Sequence, residues 1–162
     1  MQPMENEVTI RLSQPHSTEH WRQARRLIEQ YAASLDFDLS FQNLADELDH
    51  LASEYDAPAG AFLLAEDDGG YIGCVGLRYF SDGIGEVKRL YVIPDARGLG
   101  AGRLLAEGIV AAARRLGYAR LVLDTVASMQ HAQSLYVSLG FKPTEAYRFN
   151  PLPGAAFFEL KL

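Results

Sequence analysis

The chain has 162 residues, 48% of them apolar and 22% charged, a composition that suits one globular domain with enough apolar material for a core. Its 15 Lys and Arg against 21 Asp and Glu leave a formal charge of −6, which argues against a general nucleic-acid binder, whose affinity would come from neutralising phosphates. No stretch approaches the roughly 18 unbroken apolar residues of a membrane span. The start MQPMENEVTI lacks the basic-then-apolar pattern of a signal peptide, and the single cysteine, Cys74, can form no internal disulfide. The expectation is a cytoplasmic protein with no membrane contact and Cys74 buried as a small hydrophobe.

Residues 1–7 read as a flexible N-terminus, and residues 8–162 as a single domain. VTIRLSQ (Val8 to Gln14) alternates as a strand does. Trp21, Ala24, Leu27, Ile28, Tyr31, Ala32 and Leu35 then share one face at helical spacing. A second helix is expected after Ser40, a candidate N-cap, with Phe41, Leu44, Ala45, Leu48 and Leu51 inward. Asp46, Glu47 and Asp49 read as its solvated face.

AFLLAE and YIGCVGLRYF are two strands joined by DDGG, and SDGIG turns into a third, EVKRLYVI. The next helix places Leu104, Leu105, Ile109, Val110, Ala113 and Leu116 inward, and closes with Arg114, Arg115 and Gly117. RLVLDT is a further strand, parallel to EVKRLYVI across that helix. A last helix over about 128–139 ends at Gly140, and FKPTEAYRF and AAFFELKL complete the sheet around NPLPG. The fold class is α/β: one mixed, mostly antiparallel sheet with helices on both faces.

Between strand and helix lies VIPDARGLGAGRLL, with Gly98, Gly100 and Gly102 crowded at a helix start. A helix N-terminus carries unpaired N–H groups and about half a positive charge, so bare glycines there let an anion dock on the backbone. Lys88, Arg89, Arg97 and Arg103 add basic charge nearby, or merely form a solvated basic surface. A Walker loop is disfavoured because no lysine follows the glycines. A dinucleotide loop needs a third glycine where Arg103 stands, although Asp124 could imitate its ribose-binding acid. The pattern [QR]-x-x-G-x-[GA] is met by Arg97, Gly100 and Gly102.

With that loop, with EVKRLYVIPDARGLGAGRLL around it, and with HAQSLYVSLGF about 30 residues on, the chain resembles the GNAT superfamily of N-acetyltransferases. The order of elements agrees from Val8 to the C-terminus. The resemblance implies an acyl-CoA N-acyltransferase fold and direct transfer of an acetyl group from acetyl-CoA to a primary amine in a ternary complex, without a metal. It maps the pyrophosphate onto Arg97, Gly98, Leu99, Gly100, Ala101, Gly102 and Arg103. Pantetheine maps along Leu90, Tyr91 and Val92, where the apolar run through Ile93 is compatible with the family's β-bulge and equally with a doubly buried strand.

The resemblance also implies Glu86 as general base, against a strand-edge ion pair with Lys88 or Arg89, and Tyr136 as general acid, against a buried structural aromatic. An amide near Leu90 or Tyr91 would face the oxyanion. The family's usual pantetheine-contacting asparagine is replaced by Met129, and His131 on the same helix is expected to face solvent. That replacement keeps open a non-catalytic acyl-CoA-binding sensor module. Tyr79, Tyr147 and Asn150 are candidate acceptor-pocket residues. The acceptor is a small-molecule or peptide amine, and the chain a monomer or homodimer.

Overall fold

A computed structural model of the chain describes residues 9–35, 38–39, 43–56, 58–126 and 129–162. The expected flexible segment 1–7, the strand start at Val8, the cap Ser40, the inward Phe41 and the helix start at Ser128 lie outside the described residues. Among those described, seven strands form one sheet in the order β1-β2-β3-β4-β5-β7-β6. They are β1 (Arg11–Ser13), β2 (Ala61–Asp67), β3 (Gly70–Ser81), β4 (Ile84–Val92), β5 (Arg120–Thr125), β6 (Lys142–Thr144) and β7 (Ala156–Lys161). Only β4 and β5 run parallel; every other pairing is antiparallel. The mixed, mostly antiparallel α/β fold is present.

Five helices accompany the sheet in this part of the chain: α1 (Thr18–Ser34), α2 (Leu44–Asp49), α3 (Leu51–Tyr55), α4 (Ala101–Arg115) and α5 (Gln130–Ser138). Ser17 caps α1 by accepting from the His20 N–H at 3.1 Å, a contact typically worth about 1 kcal/mol. The expected face of α1 turns inward, with Ala24, Leu27 and Ile28 fully buried. The strands β2 and β3 are apolar on both faces because both faces are covered. Phe62, Leu64 and Cys74 pack with α1 and α3, whereas Leu63, Ala65, Val75 and Leu77 pack with α4 and β5.

Three expectations need correction. The second helix is broken at His50, whose φ of −134° is not helical, and Glu47 lies on its inner side at 3% exposure rather than in solvent. On α4, Leu104 and Leu116 are 40% and 36% exposed, and Ala101, Ala106 and Ala112 fill the sheet-facing stripe instead. The strand expected from FKPTEAYRF is cut to Lys142–Thr144, and the segment beyond it turns toward the site.

Candidate active site

The site begins where two parallel strands part. Strands β4 and β5 pair only over Ile84–Glu86 against Arg120–Val122 and then diverge. On its other edge β4 slips against β3, since Cys74 faces Tyr91 while Gly76 faces Lys88, so β4 carries one extra residue there. Arg89 absorbs the kink with φ +63°, a left-handed conformation that costs a non-glycine residue about 1–2 kcal/mol. Its guanidinium is gripped by Glu47, with Nε to Oε2 at 2.9 Å and Nη2 to Oε1 at 3.0 Å, both side chains 2% exposed. Helix α2 thereby anchors the bulge.

Beyond the bulge, β4 leads through a single turn of 3-10 helix, Pro94–Ala96, into the glycine loop. Gly98 and Gly100 have φ of +85° and +89°, which a side chain would strain, and Gly100 heads α4 with no side-chain cap. Among the described residues, the first backbone N–H after Arg97 that meets a protein acceptor is that of Leu104, on the Gly100 carbonyl at 3.1 Å. The N–H groups from Gly98 to Arg103 are left for an external anion, at the positive end of a 15-residue helix. They stand beside a cleft of about 780 Å³ lined by Leu90, Tyr91, Val92, Arg97, Gly98, Gly100, Ala101, Gly102 and Met129.

Nine of the eleven expected cofactor residues therefore line one cleft. The side chains of Leu99 and Arg103 do not. Leu99 is 47% exposed, and Arg103 turns to Glu107 and Ser138. Tyr31, Leu35, Leu135 and His131 line the cleft as well; His131 is exposed, as expected, but at the cleft.

A second cavity, about 50 Å³, lies against the first and shares Tyr31, Leu90, Met129 and Ala132 with it. Its polar lining includes Lys88, Asp124, Thr125 and Asn150, and Tyr136 borders it. Tyr136 is 7% exposed, with its ring 5.4 Å from that of Phe141, and burial pushes its hydroxyl well above the usual tyrosine range. Lys88, at 4% exposure, is no solvated surface charge: burial pulls its ammonium down to about 8, against the opposing charges of Glu86 and Asp124.

Glu86 borders neither cavity. Fully buried, it accepts from Tyr147 Oη at 2.7 Å, Arg148 Nη2 at 2.8 Å and Arg78 Nε at 3.0 Å. The expected alternative, an ion pair with Lys88 or Arg89, is replaced by these partners. Of the three residues expected in the acceptor pocket, Asn150 lines the smaller cavity, Tyr147 holds Glu86, and Tyr79 sits 54% exposed at a hairpin with Asp82. Cys74 is fully buried, its Sγ 3.3 Å from the Arg89 carbonyl, too enclosed to carry an acyl group. Among the described residues no group of three or more His, Cys, Asp or Glu is placed to hold a metal ion. No helix there is long and apolar enough to cross a membrane.

The model of the acetyltransferase (GNAT) family matches residues 20–141, from α1 to the end of α5 and its following turn. The chain belongs to the GNAT family. An uncharacterized N-acetyltransferase of Schizosaccharomyces pombe is 41% identical over 140 residues, which is 85% of this chain and 86% of that protein. Among solved structures, an acetyltransferase of Streptococcus agalactiae superposes with a TM-score of 0.76 at 22% identity, covering 94% of this chain and 98% of its own. YncA of Salmonella typhimurium, solved with its cofactor acetyl-CoA, superposes at 0.68 and 21% identity, covering 96% and 94%. At those identities the structures speak for the fold.

This GNAT acetyltransferase places its two cavities beside each other where β4 and β5 part, with Tyr31, Leu90, Met129 and Ala132 lining both. Lys88, Asp124 and Thr125 come together there only because β4 and β5 are parallel neighbours. Arg97 sits over the Tyr91 ring at 6.0 Å and donates from Nε to the Val92 carbonyl at 3.1 Å, which fixes the cleft wall. Tyr31 of α1 packs on the same ring from 5.9 Å and reaches Met129 Sδ at 4.0 Å, and both residues line the two cavities.

Proposed function

We infer that the protein moves the acetyl group of acetyl-CoA onto a primary amine, by direct attack with donor and acceptor bound together. The observation that carries this reading is the parting of β4 from β5 beside a glycine loop with unengaged N–H groups. The large cleft fits a long anionic donor: main-chain N–H groups for the diphosphate, a β4 edge that parts from β5 beyond Glu86 for its amides, and a wall shared with the smaller cavity. Bound there, acetyl-CoA supplies an activated thioester.

The chain's own residues supply the rest. An alkylammonium must lose a proton before it can attack, which costs about 4–5 kcal/mol at neutral pH. Glu86, the base implied by family resemblance, is enclosed by three donors, and in this reading it positions Arg78, Arg148 and Tyr147. Asp124 takes the proton instead, since its carboxylate lines the smaller cavity and is oriented by Asn150 Nδ2 at 3.0 Å. The amine nitrogen bonds to the acetyl carbon as the carbon–sulfur bond breaks, and the second proton that nitrogen must lose passes to solvent. The N–H of Leu90 or Tyr91 faces the charge growing on oxygen. The Tyr136 hydroxyl donates to the departing sulfur and is reprotonated from solvent.

A second reading, an acyl-CoA sensor without turnover, draws on Met129 standing where a polar contact is usual in the family. One experiment separates the two: thiol release across a panel of amines, with wild type beside Tyr136→Phe. Turnover with some amines that drops about 10²-fold in the variant supports transfer with Tyr136 as donor. Stabilisation by acetyl-CoA with no turnover on any amine supports the sensor.

A further inference from the structure

Glu86 and Asp124 stand on the two strands that part, and one short segment touches both. Strands β4 and β5 pair last at Glu86 and Val122, and Asp124 lies two residues further along β5. Alternation puts Val122 and Asp124 on the opposite face from Leu121 and Leu123, which pack with α4. There the segment from Tyr147 to Leu152 bridges the gap. Its first attachment is to Glu86: Tyr147 Oη donates to Oε2 at 2.7 Å and Arg148 Nη2 to Oε1 at 2.8 Å. The Tyr147 ring packs edge-on against Phe80 at 4.9 Å and Phe157 at 5.6 Å, which roots this end on β3 and β7.

Its second attachment is to Asp124, whose Oδ2 accepts from Asn150 Nδ2 at 3.0 Å. The Leu152 N–H donates to Asn150 Oδ1, also at 3.0 Å, so the amide oxygen is engaged and the nitrogen is the end turned to the carboxylate. Only Phe149 separates Arg148 from Asn150. A link of two Cα steps spans at most about 7 Å and passes a shift at one end to the other. We propose that Glu86 is a positioning residue for Asp124, acting through this brace: Tyr147 and Arg148 hold Asn150, and Asn150 holds the carboxylate that takes the proton. The proposal rests on the role of Asp124 in the transfer inferred above. It gives Glu86 a part in the reaction although it borders neither cavity.

The test is a double-substitution cycle, read by single-turnover thiol release with enzyme in excess. The acceptor is the fastest of methylamine, ethanolamine, glycinamide, lysine and spermidine. Asn150→Ala is expected to slow transfer at least about tenfold, and Tyr147→Phe, which keeps the ring packing, severalfold. Neither residue lines the donor cleft, so acetyl-CoA affinity is expected to stay unchanged in both. In an Asp124→Asn background each substitution is expected to change the rate less than about twofold, because a residue acting through Asp124 has nothing left to act on. Losses that multiply with that of Asp124→Asn would overturn the proposal and leave Asp124 as the base. Asp124→Asn as fast as wild type, or no thiol release on any of these amines, would overturn the transfer reading and the proposal with it. Amide exchange followed by NMR tests the brace without turnover. The Leu152 N–H is expected to exchange severalfold faster in Tyr147→Phe than in wild type, and equal rates would overturn the coupling even where transfer occurs.

Discussion

Glu47 and Arg89, 42 residues apart in sequence, form a buried two-point ion pair that ties helix α2 to the bulge of β4. Arg89 is there the strained, left-handed residue of the bulge, and Glu47 is the partner that fixes it. Arg78 extends the contact from Glu47 at 3.5 Å to Glu86 at 3.0 Å, and Arg148 closes it. Arg89, which lines the smaller cavity, therefore belongs to a chain of buried and half-buried charges.

Glu47→Ala is expected to cost about 3–5 kcal/mol in chemical denaturation, because it removes the two-point carboxylate partner of a buried guanidinium. Burial alone would raise the Glu47 pKa, but hydrogen bonds and charge from Arg89, with Arg78 and Lys88 behind, hold it below the usual carboxylate value. A lowered folded pKa gives stability that is present above about pH 4.3, the ordinary glutamate value, and is lost as pH falls through the folded value. Denaturation midpoints of wild type should drop in that acid window, and those of Glu47→Gln should drop less.

The two acidic candidates for proton transfer separate by substitution. Asp124→Asn should lower kcat by about 10²–10³-fold with the acetyl-CoA KM little changed. Glu86→Gln should instead lose stability first, since three donors lose their anion. Activity per folded molecule measured near neutral pH decides: a large loss in Glu86→Gln with Asp124→Asn active would return the base to Glu86.

Gly102 offers a test of the donor cleft that spares the fold. A Cβ there would meet Leu135 at 3.7 Å and Val92 at 3.9 Å, ordinary contacts, and the backbone is helical. Gly102→Leu should leave thermal stability unchanged or higher, as leucine favours helices over glycine by close to ~1 kcal/mol. Its side chain would fill the cleft, and calorimetry should show acetyl-CoA binding weakened at least about tenfold.

The charge of Lys88 gives a pH signature. Burial lowers its pKa to about 8, with Glu86 and Asp124 pulling it up and Arg89 and Arg148 pushing it down. The cation is present below that value and disappears as pH rises through it. The acceptor KM of wild type should therefore shift across about pH 7 to 9.5 relative to that of Lys88→Met, which has no charge to lose there. Initial rates across that range, analysed as the ratio of the two KM values, provide the check.

How much of this was legible in sequence depends on whether a feature is local. The glycine loop and the hairpins around β3 are written in neighbouring residues, and the structure has them. The run Leu90–Ile93 breaks alternation, which fits a bulge and a doubly buried strand equally; the structure has a bulge, centred at Arg89, one residue earlier. Glu47 was read as solvated because helical spacing cannot show an arginine 42 positions away. Leu104 was read as buried because α4 covers the sheet with alanines at close approach, a choice made by tertiary packing rather than by period. Lys88, Asp124 and Thr125 carry no motif. They meet only through the parallel pairing of β4 with β5, and Thr125 becomes conspicuous only once its hydroxyl is found without a partner.

Crystallography of the protein grown with acetyl-CoA tests the central claim most directly. The account predicts the diphosphate on the N–H groups between Gly98 and Arg103, and the pantetheine arm along Leu90–Val92 with its sulfur beside Tyr136. Coenzyme bound elsewhere on the molecule, or a cleft closed by the protein's own side chains at saturating ligand, would contradict it.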